Sequence, residues 1–187
     1  LIGGLGVDAI DYSGASGLVS VDLSHSSSSG ADGIDNIDGI ENIIGSSYGN
    51  SLVGNSGNNS ILGGAGDDTI EGEEGDDVLD GGLGEDILSY ARASGPVTVS
   101  LASSTAVGAG NDTVYGFEKV VGSNFGSMLI GDANGNPIYG GAGDDTIQGG
   151  LGNDTLDGEG GIDAISYLNA SGSVSVNLSL STSTGAA

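Results

Sequence analysis

The feature that most constrains this chain is a repeat of nine residues. The octapeptide GGAGDDTI occurs at residues 63–70 and again, unchanged, at 140–147. Around these copies the sequence divides into nonapeptides over 45–89 and 122–166, and one more stands at 3–11. The eighth position is always Ile or Leu: Ile10, Leu52, Ile61, Ile70, Leu79, Leu88, Leu129, Ile138, Ile147, Leu156 and Ile165. A short fixed period predicts a solenoid, in which each repeat buries its apolar residue against neighbouring repeats.

A second, longer element follows each group of nonapeptides. Its copies, at 11–24, 89–102 and 166–179, each contain a Tyr and then alternate Val or Leu with small polar residues. The alternating residues are Val19, Val21 and Leu23; Val97, Val99 and Leu101; and Val174, Val176 and Leu178. Such alternation predicts a half-buried strand. We therefore expect the following units: the end of a truncated block (1–11), a strand/loop linker element (12–44), a block (45–89), a second linker element (90–121), a second block (122–166) and the start of a third linker element (167–187).

Each nonapeptide predicts a turn followed by a strand. Six Gly-rich residues favour a turn because Gly adopts positive φ, and three residues around an aliphatic one favour a short strand. Two nonapeptides then make one coil of 18 residues, coils stack in parallel, and the aliphatic residues form an internal ladder. Burying one such residue contributes ~1.5–3 kcal/mol. That does not offset the backbone entropy of nine residues at ~1–2 kcal/mol each, so the fold needs a further component.

The sixth position of the nonapeptide suggests that component. It is Asp in seven copies, and it is Asn50, Asn59, Asn136 or Ser127 in the others. In stacked coils these carboxylates repel one another. A hard cation such as Ca²⁺ takes about six to eight oxygen ligands from carboxylates and backbone carbonyls, and both are plentiful in Gly-rich acidic turns. With one His and no Cys, the chain cannot build the nitrogen and sulfur sites typical of zinc or copper.

GGAGDDTIE, GGLGNDTLD and GGLGEDILS resemble the GGxGxDxUx nonapeptide of RTX proteins. The linker stretches resemble those of serralysin-type C-terminal domains and large RTX adhesins. The resemblance implies an all-β fold: a parallel β-roll, or β-solenoid, with about four to six Ca²⁺ ions in its turns, interrupted or extended by longer V-x-V-x-L strand segments. Coils that lie 18 residues apart pair Asp68 with Asp86 and Asp145 with Asp163 as the best-supplied sites.

The ligands that the RTX motif assigns are Asp8, Asn59, Asp68, Asp77, Asp86, Asn136, Asp145, Asp154 and Asp163, with the backbone carbonyls of Gly63, Gly64, Gly66, Gly81, Gly82, Gly84, Gly140, Gly141, Gly143, Gly149, Gly150 and Gly152. Glu41 and Glu118 occupy matching places in the two linkers. We expect these two side chains to accept hydrogen bonds from local backbone rather than to bind metal.

The composition excludes several functions. With 26 acidic and 2 basic residues the net charge is −24, which repels nucleic acids and anionic membranes. No apolar run approaches the ~18 residues of a membrane span, so we expect neither a nucleic-acid partner nor membrane insertion. The one histidine, His25, lies in a Ser-rich loop, and we expect no catalytic site. Because the pattern starts and stops within a repeat, we expect a monomeric fragment of a longer protein.

Two functions remain open. The first is a calcium-binding structural module of a secreted RTX protein that folds outside the cell, as a spacer, an adhesin stalk or a folding and secretion aid. The resemblance implies export through type I secretion machinery and an extracellular or cell-surface location. The second is an accessory module that binds polysaccharide or another substrate for an extracellular RTX enzyme, such as a protease, a lipase or an alginate-modifying enzyme. The tandem superrepeats favour the first, and we expect the linker elements to continue the roll.

Overall fold

The computed structural model describes residues 1–31, 33–177 and 182–185. Its strands are β1 (Ala9–Asp11), β2 (Val19–Asp22), β3 (Ser27–Gly30), β4 (Gly33–Asn36), β5 (Asn42–Ile44), β6 (Ser51–Val53), β7 (Ser60–Ala65), β8 (Thr69–Glu71), β9 (Val78–Leu83), β10 (Ile87–Ser89), β11 (Thr98–Ser100), β12 (Thr105–Val107), β13 (Asn111–Tyr115), β14 (Lys119–Val121), β15 (Met128–Ile130), β16 (Pro137–Tyr139), β17 (Thr146–Gln148), β18 (Thr155–Asp157), β19 (Ala164–Ile165), β20 (Val174–Asn177) and β21 (Thr182–Gly185). One 3₁₀ turn, Leu101–Ser103, separates β11 from β12.

Two sheets form the roll, and within the blocks consecutive strands alternate between them. Among the described residues, the ten-stranded sheet has the order β1-β5-β7-β9-β13-β12-β11-β15-β17-β19, and the nine-stranded sheet has the order β18-β16-β14-β10-β8-β6-β2-β3-β4. Block strands pair in parallel with the strand one coil away, as in Leu52↔Ile70 and Ile61↔Leu79. Each coil therefore contains two nonapeptides, and the predicted all-β parallel roll is confirmed.

The eighth-position residues fill the space between the two sheets. Leu52, Ile70 and Leu88 are completely buried, and they belong to one continuous apolar cluster with the equivalent residues of the other coils. The ladder weakens at the last strands of each sheet, where Leu156 is partly buried and Ile165 is 42 % exposed. The predicted aliphatic ladder is therefore the core of the molecule, one residue thick.

The linker elements extend the sheets as antiparallel meanders. In the second linker, β11, β12 and β13 pair antiparallel with one another, while β13 pairs in parallel with β9 and β11 in parallel with β15. The inner residues Val99, Ala106 and Val114 join the apolar cluster. This meander thus connects one block to the next, and the ten-stranded sheet runs through it without a break. The linker elements therefore continue the roll.

Successive meanders lie in opposite sheets. The first, β2-β3-β4, belongs to the nine-stranded sheet, whereas β11-β12-β13 belongs to the ten-stranded sheet. Six strands, β5 to β10, alternate between the sheets after the first meander, so the next one begins on the other side. In the third linker β20 and β21 form an antiparallel pair that includes Val174 and Val176; the predicted strand residue Leu178 lies outside the described residues.

Candidate metal centres

The sixth-position side chains stack in columns along the two edges of the roll. On one edge Asp68 Oδ1 accepts a hydrogen bond from the Asn50 backbone N–H at 2.7 Å, and Asp86 Oδ1 accepts one from the Asp68 N–H at 2.7 Å. On the other edge Asp163 Oδ1 accepts from the Asp145 N–H at 3.0 Å. The two pairs of carboxylates that the sequence predicted as neighbours are therefore brought together, one coil apart.

The second oxygen of these carboxylates is left without a partner. Oδ2 is buried and makes no hydrogen bond within the described part of the chain in five cases: Asp8, Asp68, Asp77, Asp86 and Asp145. Asp68 and Asp86 are completely buried as whole residues. An unsatisfied buried charged oxygen is strongly destabilising. The same unpartnered atom recurs at five equivalent positions, and a bound cation would satisfy it at each of them.

A glycine at the first position of the nonapeptide makes room at this oxygen. A Cβ atom built on Gly63 would collide with Asp68 Oδ2 and with the carbonyl oxygen of Gly81 in the next coil. Gly140 stands in the same relation to Asp145 Oδ2 and to the carbonyl oxygen of Gly158. A carboxylate oxygen and a carbonyl oxygen thus converge on a space that only glycine leaves open, and we call this space a cradle. A donor set made only of oxygens fits Ca²⁺.

The predicted carbonyl ligands fall into two groups. The first-position carbonyl of Gly81 meets the Asp68 cradle, and that of Gly149 lies against Gly131. At the second position, the carbonyl oxygen of Gly64 instead lies against Gly82 in the next coil. That individual carbonyls bind calcium stays a prediction. This includes the carbonyls of Gly66, Gly82, Gly84, Gly140, Gly141, Gly143, Gly150 and Gly152.

Burial raises the pKa of several sixth-position carboxyl groups, because it disfavours their charged form. It raises the pKa of Asp77 to about 7 and the pKa of Asp68 to about 6, and the charge of Asp86 adds to the effect on Asp68. Burial also raises the pKa values of Asp86 and Asp145 above their ordinary value. A cation in the cradle would hold these groups in the ionised form, because opposite charge favours it.

Two of the predicted ligands, Asn59 and Asn136, have their amides paired within the protein. Asn59 Oδ1 accepts from the Asn55 N–H at 2.8 Å, and its Nδ2 donates to the Glu41 carbonyl at 2.7 Å. Asn136 Oδ1 accepts from the Asp132 N–H at 2.8 Å, and its Nδ2 donates to the Glu118 carbonyl at 3.0 Å. We therefore leave both out of the ligand set proposed below.

Asp154 and Asp163 occupy the outer end of the stack. Asp154 Oδ1 accepts from the Asn136 N–H at 3.0 Å, as the other sixth-position residues do. Asp154 is half-buried and Asp163 is exposed, because no further coil covers them among the residues described. These two carboxylates thus occupy the same position in the nonapeptide as Asp68 and Asp86, but they are less buried.

Three acidic residues of the linkers take the place of a sixth-position residue in the columns, which the sequence did not predict. Asp112 Oδ1 accepts from the Asp77 N–H at 3.1 Å and its Oδ2 from the Tyr90 hydroxyl at 2.6 Å. Glu41 and Glu118 each accept a backbone hydrogen bond as predicted, but from residues 33 and 32 positions away rather than from local backbone. The signal was present: VGAGNDTVY at 107–115 carries Asp two residues before a buried aliphatic residue, as the nonapeptides do.

The cradles use few side chains. No group of three or more His, Cys, Asp or Glu side chains in the described ranges is arranged to hold a metal ion. Backbone carbonyls must therefore supply much of any coordination, which suits Ca²⁺ better than metals that need several side-chain ligands. No helix that the structure describes is long and apolar enough to cross a membrane.

Comparison with known proteins agrees with the geometry. A family model of the RTX calcium-binding nonapeptide repeat matches four stretches, residues 35–69, 53–88, 106–118 and 130–165, which together span more than half of the chain. The third stretch contains Asp112, so the linker nonapeptide is matched as well. No curated protein gives a significant match.

Proposed function

The chain belongs to the RTX calcium-binding nonapeptide-repeat family, and from this premise we propose that it is a structural module whose folding is completed by calcium outside the cell. The observation that carries the proposal is the set of five buried, unpartnered Oδ2 atoms at the sixth position. A buried carboxylate without a partner is costly unless a cation or a proton compensates its charge. The RTX repeat is a calcium-binding module, and these atoms are where the ions fit.

We propose that the ions are held by sixth-position carboxylates together with first-position carbonyls. The proposed carboxylate ligands are Asp8, Asp68, Asp77, Asp86, Asp145, Asp154 and Asp163. About four to six ions would occupy these positions. Bound Ca²⁺ supplies positive charge and oxygen coordination; the protein contributes a fixed column of oxygens and glycines that leave the cradle open.

Folding and metal binding are then one process. When calcium is scarce, the buried carboxylates must remain protonated or repel one another, and the chain stays expanded. When calcium is abundant, each site that exists only in the folded state stabilises it by RT ln(1 + [L]/Kd). An expanded chain suits passage through type I secretion machinery, and calcium outside the cell then completes the roll. We therefore propose that the folded module acts in the extracellular medium or at the cell surface.

A spacer or adhesin stalk is the role that the architecture supports best. The meander β11-β12-β13 continues the ten-stranded sheet from one block into the next, so tandem superrepeats form one rod instead of separate beads. The alternative, an accessory module that holds polysaccharide for an extracellular enzyme, is distinguished by screening glycans against the calcium-loaded chain. Saturable micromolar binding of one glycan class would contradict the pure spacer role.

We propose that the module has no catalytic activity of its own. Ser24, His25 and Asp22 do lie together, but the Ser24 hydroxyl and the Asp22 carboxylate both contact the same ring nitrogen, Nδ1, at 3.0 and 3.1 Å. A proton relay needs the serine and the carboxylate on opposite nitrogens of the ring. The ring is also exposed to solvent. The cluster is therefore a surface turn.

The test of the proposed function is far-UV circular dichroism of the chain during a calcium titration, with magnesium as the control. We expect a coil spectrum in chelator, a cooperative change to a β spectrum with calcium, and no such change with magnesium at equal concentration. A β spectrum that is already complete in excess chelator would contradict the coupling of folding to calcium.

A further inference from the structure

One group of carboxylates lies apart from the sixth-position columns and is already paired with a cation of the protein itself. The guanidinium group of Arg92 has its Nη1 atom 3.2 Å from Asp22 Oδ2 and 3.2 Å from Glu73 Oε1. Its Nε atom lies 3.6 Å from Glu71 Oε2. We call these four residues the Arg92 cluster. Asp22 belongs to the first linker, the two glutamates to the block and Arg92 to the second linker, so the cluster connects three units of the sequence.

Glu71 is the most deeply buried member of the cluster, and both of its carboxylate oxygens lie beside Arg92. The Glu71 side chain is only 9 % exposed. Oε1 accepts a hydrogen bond from the Arg92 backbone N–H at 2.8 Å, and Oε2 is the oxygen near the guanidinium group. A compensated carboxylate avoids the penalty of burying an unpaired charge. Glu71 thus differs from Asp68 and Asp86, whose Oδ2 atoms have no partner among the residues described.

The turn that carries Arg92 is anchored through the two residues that precede it. The buried Tyr90 hydroxyl donates to Asp112 Oδ2 at 2.6 Å, and Asn124 Nδ2 donates to the Ala91 carbonyl at 3.1 Å. Exposed ion pairs usually contribute little, partly because ordering two long side chains costs entropy, and networks of several charges are the exception. In this network the backbone at Arg92 is already held, and three carboxylates share one guanidinium group.

The charges of the cluster occur in only one of two corresponding places in the chain. One linker and block further along, the positions of Asp22, Glu71, Glu73 and Arg92 hold Ser100, Gln148, Gly150 and Asn169. None of these four residues is charged. The acidic residues and the arginine are thus present together and absent together, which is the pattern expected of groups that compensate one another.

The two places are equivalent in structure as well as in sequence. Direct neighbours across the strands form two equivalent rows, which are Asp22–Val53–Glu71 across β2, β6 and β8, and Ser100–Ile130–Gln148 across β11, β15 and β17. Val53 is only 7 % exposed, whereas Ile130 is half-buried. The charged row therefore shields its apolar residue more fully than the uncharged row does.

We propose that Arg92 is a tethered cation: its guanidinium group compensates the three carboxylates of the cluster without calcium and clamps the two linkers to the block between them. This inference rests on the calcium-dependent folding proposed above. The copy of GGAGDDTI at 63–70 ends directly before Glu71, and the identical copy at 140–147 ends before the uncharged Gln148. The first copy should therefore become ordered at a lower calcium concentration than the second.

Hydrogen exchange of the whole chain across a calcium titration tests the tethered cation. The measured quantity is the calcium concentration at which the amides of 64–70 and of 141–147 are half-protected. Because the two segments have the same sequence, a difference between their midpoints reports their surroundings. We expect the midpoint of 64–70 to be lower by roughly threefold, the size of effect that a partly exposed ion pair produces.

The substitution Arg92→Gln should raise the midpoint of 64–70 roughly threefold and remove the difference between the two segments. Lys119→Gln is the matched control, because it changes the net charge by the same amount and Lys119 makes no ion pair within the described part of the chain. The control should leave the midpoint of 64–70 unchanged.

Asp22→Asn extends the test to a residue 70 positions from Arg92. Alone it should raise the midpoint of 64–70, and added to Arg92→Gln it should have no further effect, because its partner is already gone. Fully additive effects would show that the two side chains do not act through their contact. Asp22→Asn also keeps the test decisive if Arg92→Gln does not fold.

Equal midpoints for the two identical segments in the unsubstituted chain would overturn the tethered cation while leaving calcium-dependent folding intact. An equal response to Lys119→Gln and Arg92→Gln would overturn it as well, because net charge would then explain the effect. If both segments are fully protected in chelator, the proposed function fails first. The failures are therefore distinguishable in one set of measurements.

Discussion

The first two turns of each block differ from the turns that follow them in how their polar groups are paired, although both connect the same kind of strands. We call the turns at 45–50, 54–59, 122–127 and 131–136 self-bonded turns, and those at 63–68, 72–77, 81–86, 140–145 and 149–154 carboxylate turns. Both kinds carry the same strand register and the same aliphatic ladder. What differs is the source of the partners for the polar groups of the turn.

In a self-bonded turn the protein supplies every partner that the turn needs. Asn55 Oδ1 accepts from the Gly57 N–H at 2.8 Å, and Asn59 Oδ1 accepts from the Asn55 N–H at 2.8 Å. The second residue of these turns does not adopt positive φ. In a carboxylate turn the second residue does, as in Gly64 with φ +110°, and the sixth-position Oδ2 of Asp68 has no partner.

The difference teaches that one nonapeptide pattern can leave the polar groups of its turn either paired within the protein or open to a cation. Where Asn fills the sixth position, its NH₂ group stands where a cation would otherwise be needed; Asn50 Nδ2, for example, donates to the Gly63 carbonyl at 3.2 Å. Where Asp fills it, the equivalent Gly81 carbonyl meets a bare carboxylate oxygen. Each block therefore begins with turns whose polar groups are paired within the protein and continues with turns whose sixth-position carboxylates are not fully paired.

Removal of calcium should have the largest effect. With calcium at about 100 times Kd, each site contributes about 2.7 kcal/mol, so the loss of several sites exceeds the stability of a typical domain. At intermediate calcium, hydrogen exchange should be fastest in 63–89 and 140–166 and slowest in 45–62 and 122–139. Equal exchange in both kinds of segment at every calcium concentration would contradict the division into two kinds of turn.

Asp68→Asn should convert a carboxylate turn into a self-bonded one. In chelator, urea unfolding should show a gain of about 1–3 kcal/mol, because a buried unsatisfied oxygen is removed and the new NH₂ can donate to the Gly81 carbonyl. In calcium the variant should be less stable than the unsubstituted chain, because it loses one site. Asp67→Asn, at an exposed neighbour, is the control; a loss of stability in chelator for Asp68→Asn would contradict the argument.

The reverse change, Asn59→Asp, should destabilise the calcium-free chain by about 1–3 kcal/mol. The substitution replaces the NH₂ group that donates to the Glu41 carbonyl at 2.7 Å with an oxygen that repels it. Urea unfolding in chelator measures the change, with Asn58→Asp at an exposed position as the control. Equal stability of the two variants would show that the amide of Asn59 is dispensable.

The free energy of unfolding should depend on pH with opposite sign in the calcium-free and the calcium-loaded states. Because the folded pKa values of Asp68 and Asp77, about 6 and about 7, lie above the ordinary value of 3.8, these groups favour folding below pH ~4 and lose that contribution as pH rises through 6 to 7. Calcium competes with the proton, so its affinity at Asp68 should be about tenfold higher at pH 7 than at pH 5. Calcium titrations at the two pH values measure this; a pH-independent affinity would contradict it.

Glu159→Gly should give the smallest effect, a stabilisation of about 0.5–1 kcal/mol in thermal unfolding with calcium present. Glu159 has φ +61° at the second position of its turn, where all the carboxylate turns except 72–77, which has Glu73, have Gly. A left-handed conformation is unfavourable for a residue with a Cβ. Glu74→Gly is the matched control, since Glu74 is exposed and does not have positive φ. A gain from Glu74→Gly equal to that from Glu159→Gly would remove the conformational explanation.

The sequence predicted those features that depend on the nine-residue period alone. The period assigned Ile61, Leu79 and their equivalents to the core and brought Asp68 beside Asp86, because parallel stacking of equal coils leaves no other arrangement. It could not predict the antiparallel pairing of β11 with β12, since alternation of Val and Ser specifies a strand but not the direction of its neighbour. Nor could it show that the Asn59 amide is paired while Asp77 Oδ2 is not, because the partner of Asn59 Nδ2 is the Glu41 carbonyl, which comes from outside the block.

The placement of successive meanders in opposite sheets has a consequence for curvature. Each meander contributes three strands where a regular coil contributes one, and two additional strands at a spacing of ~4.8 Å lengthen that side of the roll by ~10 Å. Because β2-β3-β4 and β11-β12-β13 belong to opposite sheets, the length that one meander adds to one side of the roll is matched by the length that the other adds to the opposite side.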